Sequence, residues 1–128
     1  MELAVGGSGS IRAGTSGDLH AAVGGSGSIT AGATRRLEAA VGGSGDITVA
    51  RVDGSAEVSI GGAGDVTIRD GEAPQLKVAI GGSGNVDYGG AAGDVSVSIA
   101  GSGDVRVRSA SGQVQRAVVG SGTVTIGR

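Results

Sequence analysis

The residues best able to do chemistry in this chain recur at one position of a repeated phrase: Ser10, Ser28, Asp46, Asp65, Asn85, Asp104 and Thr123. Each follows a glycine and precedes Ile or Val. Side chains of this kind accept hydrogen bonds from nearby backbone amides, so one reading is that they close turns. The other is a cation site between Asp46 and Asp65. If these stack about 4.8 Å apart in successive copies, they repel each other unless a counterion or proton intervenes. Two carboxylates without further oxygen ligands make only a weak metal site, and no cofactor is expected.

Other chemistries fail on residue type or register. Calcium-binding nonapeptides read GGxGxDxUx, whereas in GGSGD the acid comes one position too early and the period here is about 19 residues instead of nine. A dinucleotide loop needs a helix after its glycines, and these glycines open onto strand-like sequence. A nucleophile with a base and an orienting group would have to be assembled around His20, the single histidine, with Asp18 and Ser16 close in sequence. His20 occupies an outward strand position, where an exposed surface histidine is expected, and there is no cysteine. Carbohydrate-active solenoids line a groove with aromatic residues and clustered acids, but Tyr88 is the only aromatic residue. The row Arg12, Thr30, Thr48, Thr67, Asp87, Arg106 and Thr125 is too interrupted for an ice-binding threonine array. The chain is therefore read as not an enzyme.

These residues are positioned by the phrase itself. Gly-Gly-Ser-Gly, with small variations, begins after Val5, Val23, Val41, Ile60, Ile80, Ile99 and Val118. A repeat every 18 to 20 residues along the whole chain means one supersecondary unit stacked on itself. Before each phrase runs a period-two strand, as in Leu76, Val78, Ile80 and Val95, Val97, Ile99. After it a second strand alternates, as in Ile47-Thr48-Val49 and Val66-Thr67-Ile68. Length varies only in the arc that follows, for example Asp70 to Gln75 and Gly90 to Asp94, so the arcs are read as loops that can grow, with Pro74 in the longest. No unit has room for a helix. Strands repeating in this way must pair with their own copies, which predicts an all-β single-stranded parallel β-helix of seven coils and about 30 Å of stack.

Two glycine columns mark the corner, including Gly43, Gly62, Gly82 and Gly101 in one and Gly45, Gly64, Gly84 and Gly103 in the other. Glycine suits both if each takes positive φ or crowds the neighbouring coil. The serines between them, Ser8, Ser26, Ser44, Ser83, Ser102 and Ser121, are expected to stack as a hydroxyl ladder that satisfies turn amides. On the first strand, the outward position next to the turn is uniformly small: Ala4, Ala22, Ala40, Ser59, Ala79, Ser98 and Ala117. Crowding near the corner accounts for that strip, which is also flat enough to receive a protein surface.

Composition narrows the remaining classes. The 128 residues form a single domain, 1–128, which can be the repeat portion of a longer chain. Ten basic against twelve acidic residues, net −2 and scattered, give no general pull toward nucleic acid or anionic lipid. Glycine at 29 residues would suggest a flexible linker if it were aperiodic, but the bracketing Val and Ile rule that out. No apolar run reaches the ~20 residues of a membrane span, and the first residues do not read as a signal peptide. At the ends, Leu3, Val5 and Ile11 are expected to be open. Arg116 takes an inward position held elsewhere by Val97 and Val78, where a charge discourages further coils. A capped monomer or a closed dimer through an open coil end is expected ahead of an indefinite filament.

The chain resembles the bacterial head GIN domain family (putative autotransporter adhesin). The resemblance lies in LKVAIGGSGNVDY from Leu76 to Tyr88, VSVSIAGSGDVRV from Val95 to Val107, and the closing RAVVGSGTV from Arg116. It implies a right-handed β-helix, export to an extracytoplasmic or cell-surface location, and no catalytic residues to transfer. The expected function is a non-enzymatic scaffold or adhesion and interaction module, with a protein or cell-surface glycan as partner. The alternative is a self-associating structural protein in the manner of the bactofilins, or a designed solenoid, assembling through coil ends.

Overall fold

Alternating Val, Ile and Leu give each short strand one face that must leave water. Burying each such side chain is worth about 1.5–3 kcal/mol. With no helix to cover that face, the chain covers it by winding. The structure, a computed structural model, describes residues 2–127. In chain order its strands are β1 (Glu2–Val5), β2 (Ser10–Ala13), β3 (Ser16–Val23), β4 (Ser28–Val41), β5 (Asp46–Val52), β6 (Ala56–Ile60), β7 (Asp65–Ile80), β8 (Asn85–Ile99), β9 (Asp104–Ala110), β10 (Val114–Val118) and β11 (Thr123–Ile126). They form one 11-stranded network in which every described pairing is parallel. The result is a β-solenoid of about seven turns.

Register follows the repeat. Val5 pairs with Val23, then Val41, Ile60, Ile80, Ile99 and Val118 in turn. A second inward column runs through Ile11, Ile29, Ile47, Val66, Val86, Val105 and Val124. The side chains filling the core between them grow larger toward the middle of the stack. In one column Ala31 gives way to Val49, Ile68 and Tyr88, and in another Ala39 gives way to Val58 and Val78. All of these residues are buried, and Tyr88 is fully enclosed.

Three of the arcs depart from the loop expectation, whereas residues 53–55 and 111–113 lie outside the strands. β4, β7 and β8 run straight through theirs, and the extra residues are absorbed by register shifts between Ile68 and Glu72 and between Tyr88 and Ala91. The cause is a third inward strip, comprising Thr34, Val52, Ala73 and Ala92, which is buried and so holds the arc against the core. Pro74 lies inside β7 but takes no place in the ladder, whose pairs jump from Ala73–Ala92 to Gln75–Asp94. Thr34 satisfies its buried hydroxyl by donating to the Arg36 carbonyl at 3.1 Å.

Candidate functional site

The glycine corner is built by close approach of backbones. A Cβ on Gly43 would meet the Gly25 carbonyl, one on Gly62 that of Gly43, one on Gly82 that of Gly62, and one on Gly101 that of Gly82. In the second column a Cβ on Gly45 or Gly64 would strike both a backbone carbonyl and the valine, Val23 or Val41, of the coil before. Gly84 and Gly103 stand over Ile60 and Ile80 in the same way. Left-handed backbone is not the reason: within these two columns only Gly120 has positive φ, 122°. Each inward glycine is a socket, and the Val or Ile beneath it is the knob.

The serine hydroxyls do not satisfy the turn amides. Those amides reach the glycine carbonyls one coil earlier, Ser26 to Gly7 at 3.1 Å, Ser44 to Gly25 at 3.1 Å and Ser83 to Gly62 at 3.1 Å. Ala63 stands in the same place and makes the same bond to Gly43 at 3.0 Å without a hydroxyl. The serines of the column are exposed.

The polar column is brought into line by the ladder, with Asp46 opposite Asp65 in adjacent coils and both exposed. Among the described residues no group of three or more His, Cys, Asp and Glu side chains is arranged to hold a metal ion. A side chain of this column accepts a backbone amide at Asn85, whose Oδ1 receives the Asp104 N–H at 3.3 Å. Otherwise the amides of Ser28, Asp46, Asp65 and Thr123 bond to glycine carbonyls at 3.0–3.3 Å. Side-chain acceptors that sequence reading missed lie in the arcs: Asp70 takes the Gly71 N–H at 2.8 Å and Asp94 the Gln113 N–H at 3.1 Å. Gly71 itself needs glycine, with φ of 142°.

His20 is exposed and its Nδ1 lies 2.6 Å from Glu38 Oε2 in the next coil. The contact follows from the register Glu2–His20–Glu38, an 18-residue spacing that was visible in the sequence. Both residues border a shallow recess of about 400 Å³ over the strip of Ala4, Ala22 and Ala40. Ser59 is the only hydroxyl lining it, and register sets Ser59 two coils from Ala22, about 10 Å along the stack. The same register puts Ser59 one coil from Glu38. The Ser16 side chain lies outside the described residues.

Tyr88, the lone aromatic residue, continues the inward alternation of Val86-Asp87-Tyr88. Its hydroxyl donates to the Ala91 carbonyl at 2.8 Å. Burial pushes its pKa up to about 12, against a smaller lowering by a backbone hydrogen bond from Ala73. On the surface, Arg51 Nε bonds Asp53 Oδ1 at 2.9 Å, and this bond raises the guanidinium pKa further.

The two ends differ from the expectation and from each other. Val5 is only 7% exposed, and Leu3 and Ile11 are partly buried against the core. Val5 fills the socket of Gly27, whereas Leu3 and Ile11 stay partly exposed. Arg116 pairs in register with Val97 and is exposed between Val114 and Val118.

Fold and site together define a class: a parallel β-solenoid with a structural glycine corner and polar groups arrayed in outward rows. Residues 32–127 match the family described as "Putative auto-transporter adhesin, head GIN domain", and the chain belongs to that family. No curated protein and no solved structure matches it. Among the described residues no helix is long and apolar enough to cross a membrane.

Proposed function

We propose that this chain is a non-enzymatic scaffold of extracytoplasmic type that presents its outward rows as an adhesion or interaction surface. The observation that carries the reading is the straight alignment of those rows by the ladder. Ala4, Ala22, Ala40, Ser59, Ala79, Ser98 and Ala117 follow one another coil by coil, beside the row Glu2, His20, Glu38, Glu57 and Lys77. A rigid row with one residue type per coil suits a repetitive partner, a protein surface or a cell-surface glycan, and the family description supports a surface location. The test is a glycan and bacterial-surface binding array run beside a hydrolase screen. Binding without turnover is expected, and turnover of any glycan on the array would overturn the reading.

A second reading, assembly through coil ends, has one favourable observation. Turn amides of each coil donate to the coil before, as Gly24 does to Val5 at 2.8 Å and Val119 to Ile99 at 2.7 Å. At the glycine corner the first coil therefore offers donors and the seventh acceptors. Continuing the register would, however, set Arg116 against Leu3, an unpaired charge on an apolar residue. Light scattering over a concentration series should show association only after Arg116→Val. A strict monomer in both proteins would eliminate this reading.

A further inference from the structure

The dipeptide Asp-Gly occurs at Asp53-Gly54 and at Asp70-Gly71. Such a pair can react with itself: glycine has no Cβ to obstruct its backbone nitrogen, which can close on the aspartyl Cγ as a succinimide ring. The structure holds the two copies differently. Asp70 and Gly71 are ladder residues of β7, paired with Arg51 and Val52 of the coil before. Gly71 is buried against Val52, and a Cβ on Gly90 of the following coil would strike the Asp70-Gly71 peptide from the other side. The Gly71 N–H is engaged by Asp70 Oδ1 at 2.8 Å, which turns a carboxylate oxygen, and not Cγ, toward the nitrogen.

Asp53-Gly54 lies where the ladder is interrupted. Pairing of β5 with β7 ends at Val52 and Gly71, and pairing of β6 with β7 begins at Ala56 and Leu76. The stretch is pinned at both ends, the Asp53 N–H donating to the Thr34 carbonyl at 2.8 Å and the Leu37 N–H to the Ser55 carbonyl at 2.9 Å. Between these points the Gly54 N–H meets no acceptor among the described residues. The Asp53 side chain is 45% exposed, and its bond from Arg51 Nε at 2.9 Å is one that water can replace.

We propose that Asp53-Gly54 is a self-modification site, at which the folded chain isomerises to isoaspartate, and that the ladder protects Asp70-Gly71 from the same reaction. The Gly54 nitrogen forms a bond to Asp53 Cγ, and the carboxyl hydroxyl leaves with the amide proton as one water. A water then opens the ring. Attack at Cγ restores aspartate, and attack at the former backbone carbonyl gives isoaspartate, with the chain running through Cβ and the α-carboxylate free. The sum adds and removes one water and needs no further reactant. The fold has room for the product, because the three residues 53–55 stand where the following coil has four, 72–75. The extra methylene bows outward between the pinned ends.

The test incubates the intact chain in neutral buffer at physiological temperature, then unfolds and digests it with trypsin, which separates residues 52–69 from residues 70–77. Isoaspartate is located in each peptide by electron-transfer fragmentation and counted by methyl transfer from an isoaspartate-specific methyltransferase. It should accumulate at Asp53 at least about tenfold faster than at Asp70, because a ladder peptide reacts only after local opening. In the chain held unfolded in guanidinium the two rates should agree within about twofold, since the ladder is then gone. Asp53→Glu, which lengthens the side chain and disfavours the ring, should remove the signal from residues 52–69. Equal rates in the folded chain, a faster rate at Asp70, a ratio that persists in guanidinium, no product at Asp53, or a signal that survives Asp53→Glu would each overturn the proposal.

Discussion

The first and seventh coils carry nearly the same residues around the corner, Val5 to Gly9 and Val118 to Gly122, yet Val5 is buried and Val118 is 39% exposed. The seam between coils is directional: a Val or Ile of one coil fills the space that a glycine of the following coil leaves empty. Val5 has Gly27 over it, Ile99 has Gly122, and Val118 has no such cover, while Gly9 has nothing within 4 Å of where its Cβ would be. The glycine columns are therefore the receiving half of a packing device, and the same residue type has opposite importance at the two ends.

The largest expected effect tests this directly. Gly64→Ala forces a methyl into the Gly45 carbonyl and the Val41 side chain and disrupts the Asp65 to Gly45 hydrogen bond. Overpacking of about 1–3 kcal/mol and the lost ladder bonds together give about 4 kcal/mol of destabilisation. Gly9→Ala, with open space around it, should stay within about 0.5 kcal/mol. Urea unfolding of both variants measures the difference, and equal effects would break the socket account.

The knobs should show the same polarity at slightly smaller scale. Ile80→Ala removes a fully packed side chain beneath Gly103 and should cost about 3 kcal/mol through lost burial and the cavity left behind. Val118→Ala, at the uncovered end, should cost less than about 1 kcal/mol. Thermal unfolding of the pair sharpens the comparison, because both positions lie in one column and, beyond the extra methylene of isoleucine, differ in what covers them.

The largest fully buried side chain gives a pH-dependent prediction. Tyr88 has its pKa raised from 10.0 to about 12, so the folded state keeps the proton that the unfolded chain releases. Stability from this group is complete below pH 10.0 and declines as pH rises toward about 12, by about 2–3 kcal/mol in all. Tyr88→Phe should lose about 1 kcal/mol at neutral pH with the Ala91 hydrogen bond, and should lack that alkaline decline. An unchanged alkaline profile in Tyr88→Phe would place the sensitivity elsewhere.

The spacing of the phrase made coil number, strand pairing and inward columns legible, because parallel stacking turns sequence period into spatial register. Val5 over Val23 and Ile80 over Ile99 could be written down from the repeat alone. The interior of the arcs could not, because Thr34, Ala73 and Ala92 are small or polar and their burial comes from packing, which no alternation announces. The socket role of Gly45 and Gly64 is half legible, because crowding and positive φ both call for glycine and only the packing distinguishes them. The contact of His20 with Glu38 was available at a spacing of 18 residues. The partners of His20 along the stack, one period away in sequence, are nearer in space than most of its chain neighbours.

That pair also supplies the smallest effect and the sharpest contrast with the knobs. His20 and Glu38 are in contact, but their side chains are 51% and 46% exposed, so water competes for both and ordering them costs side-chain entropy. Glu38→Gln should therefore shift stability by less than about 1 kcal/mol in urea unfolding. A loss comparable to that of Ile80→Ala would mean that the outward rows help to hold the stack together. They would then not be free to vary with the partner they meet, and the division between a core that fixes the coils and rows that only decorate them would fail.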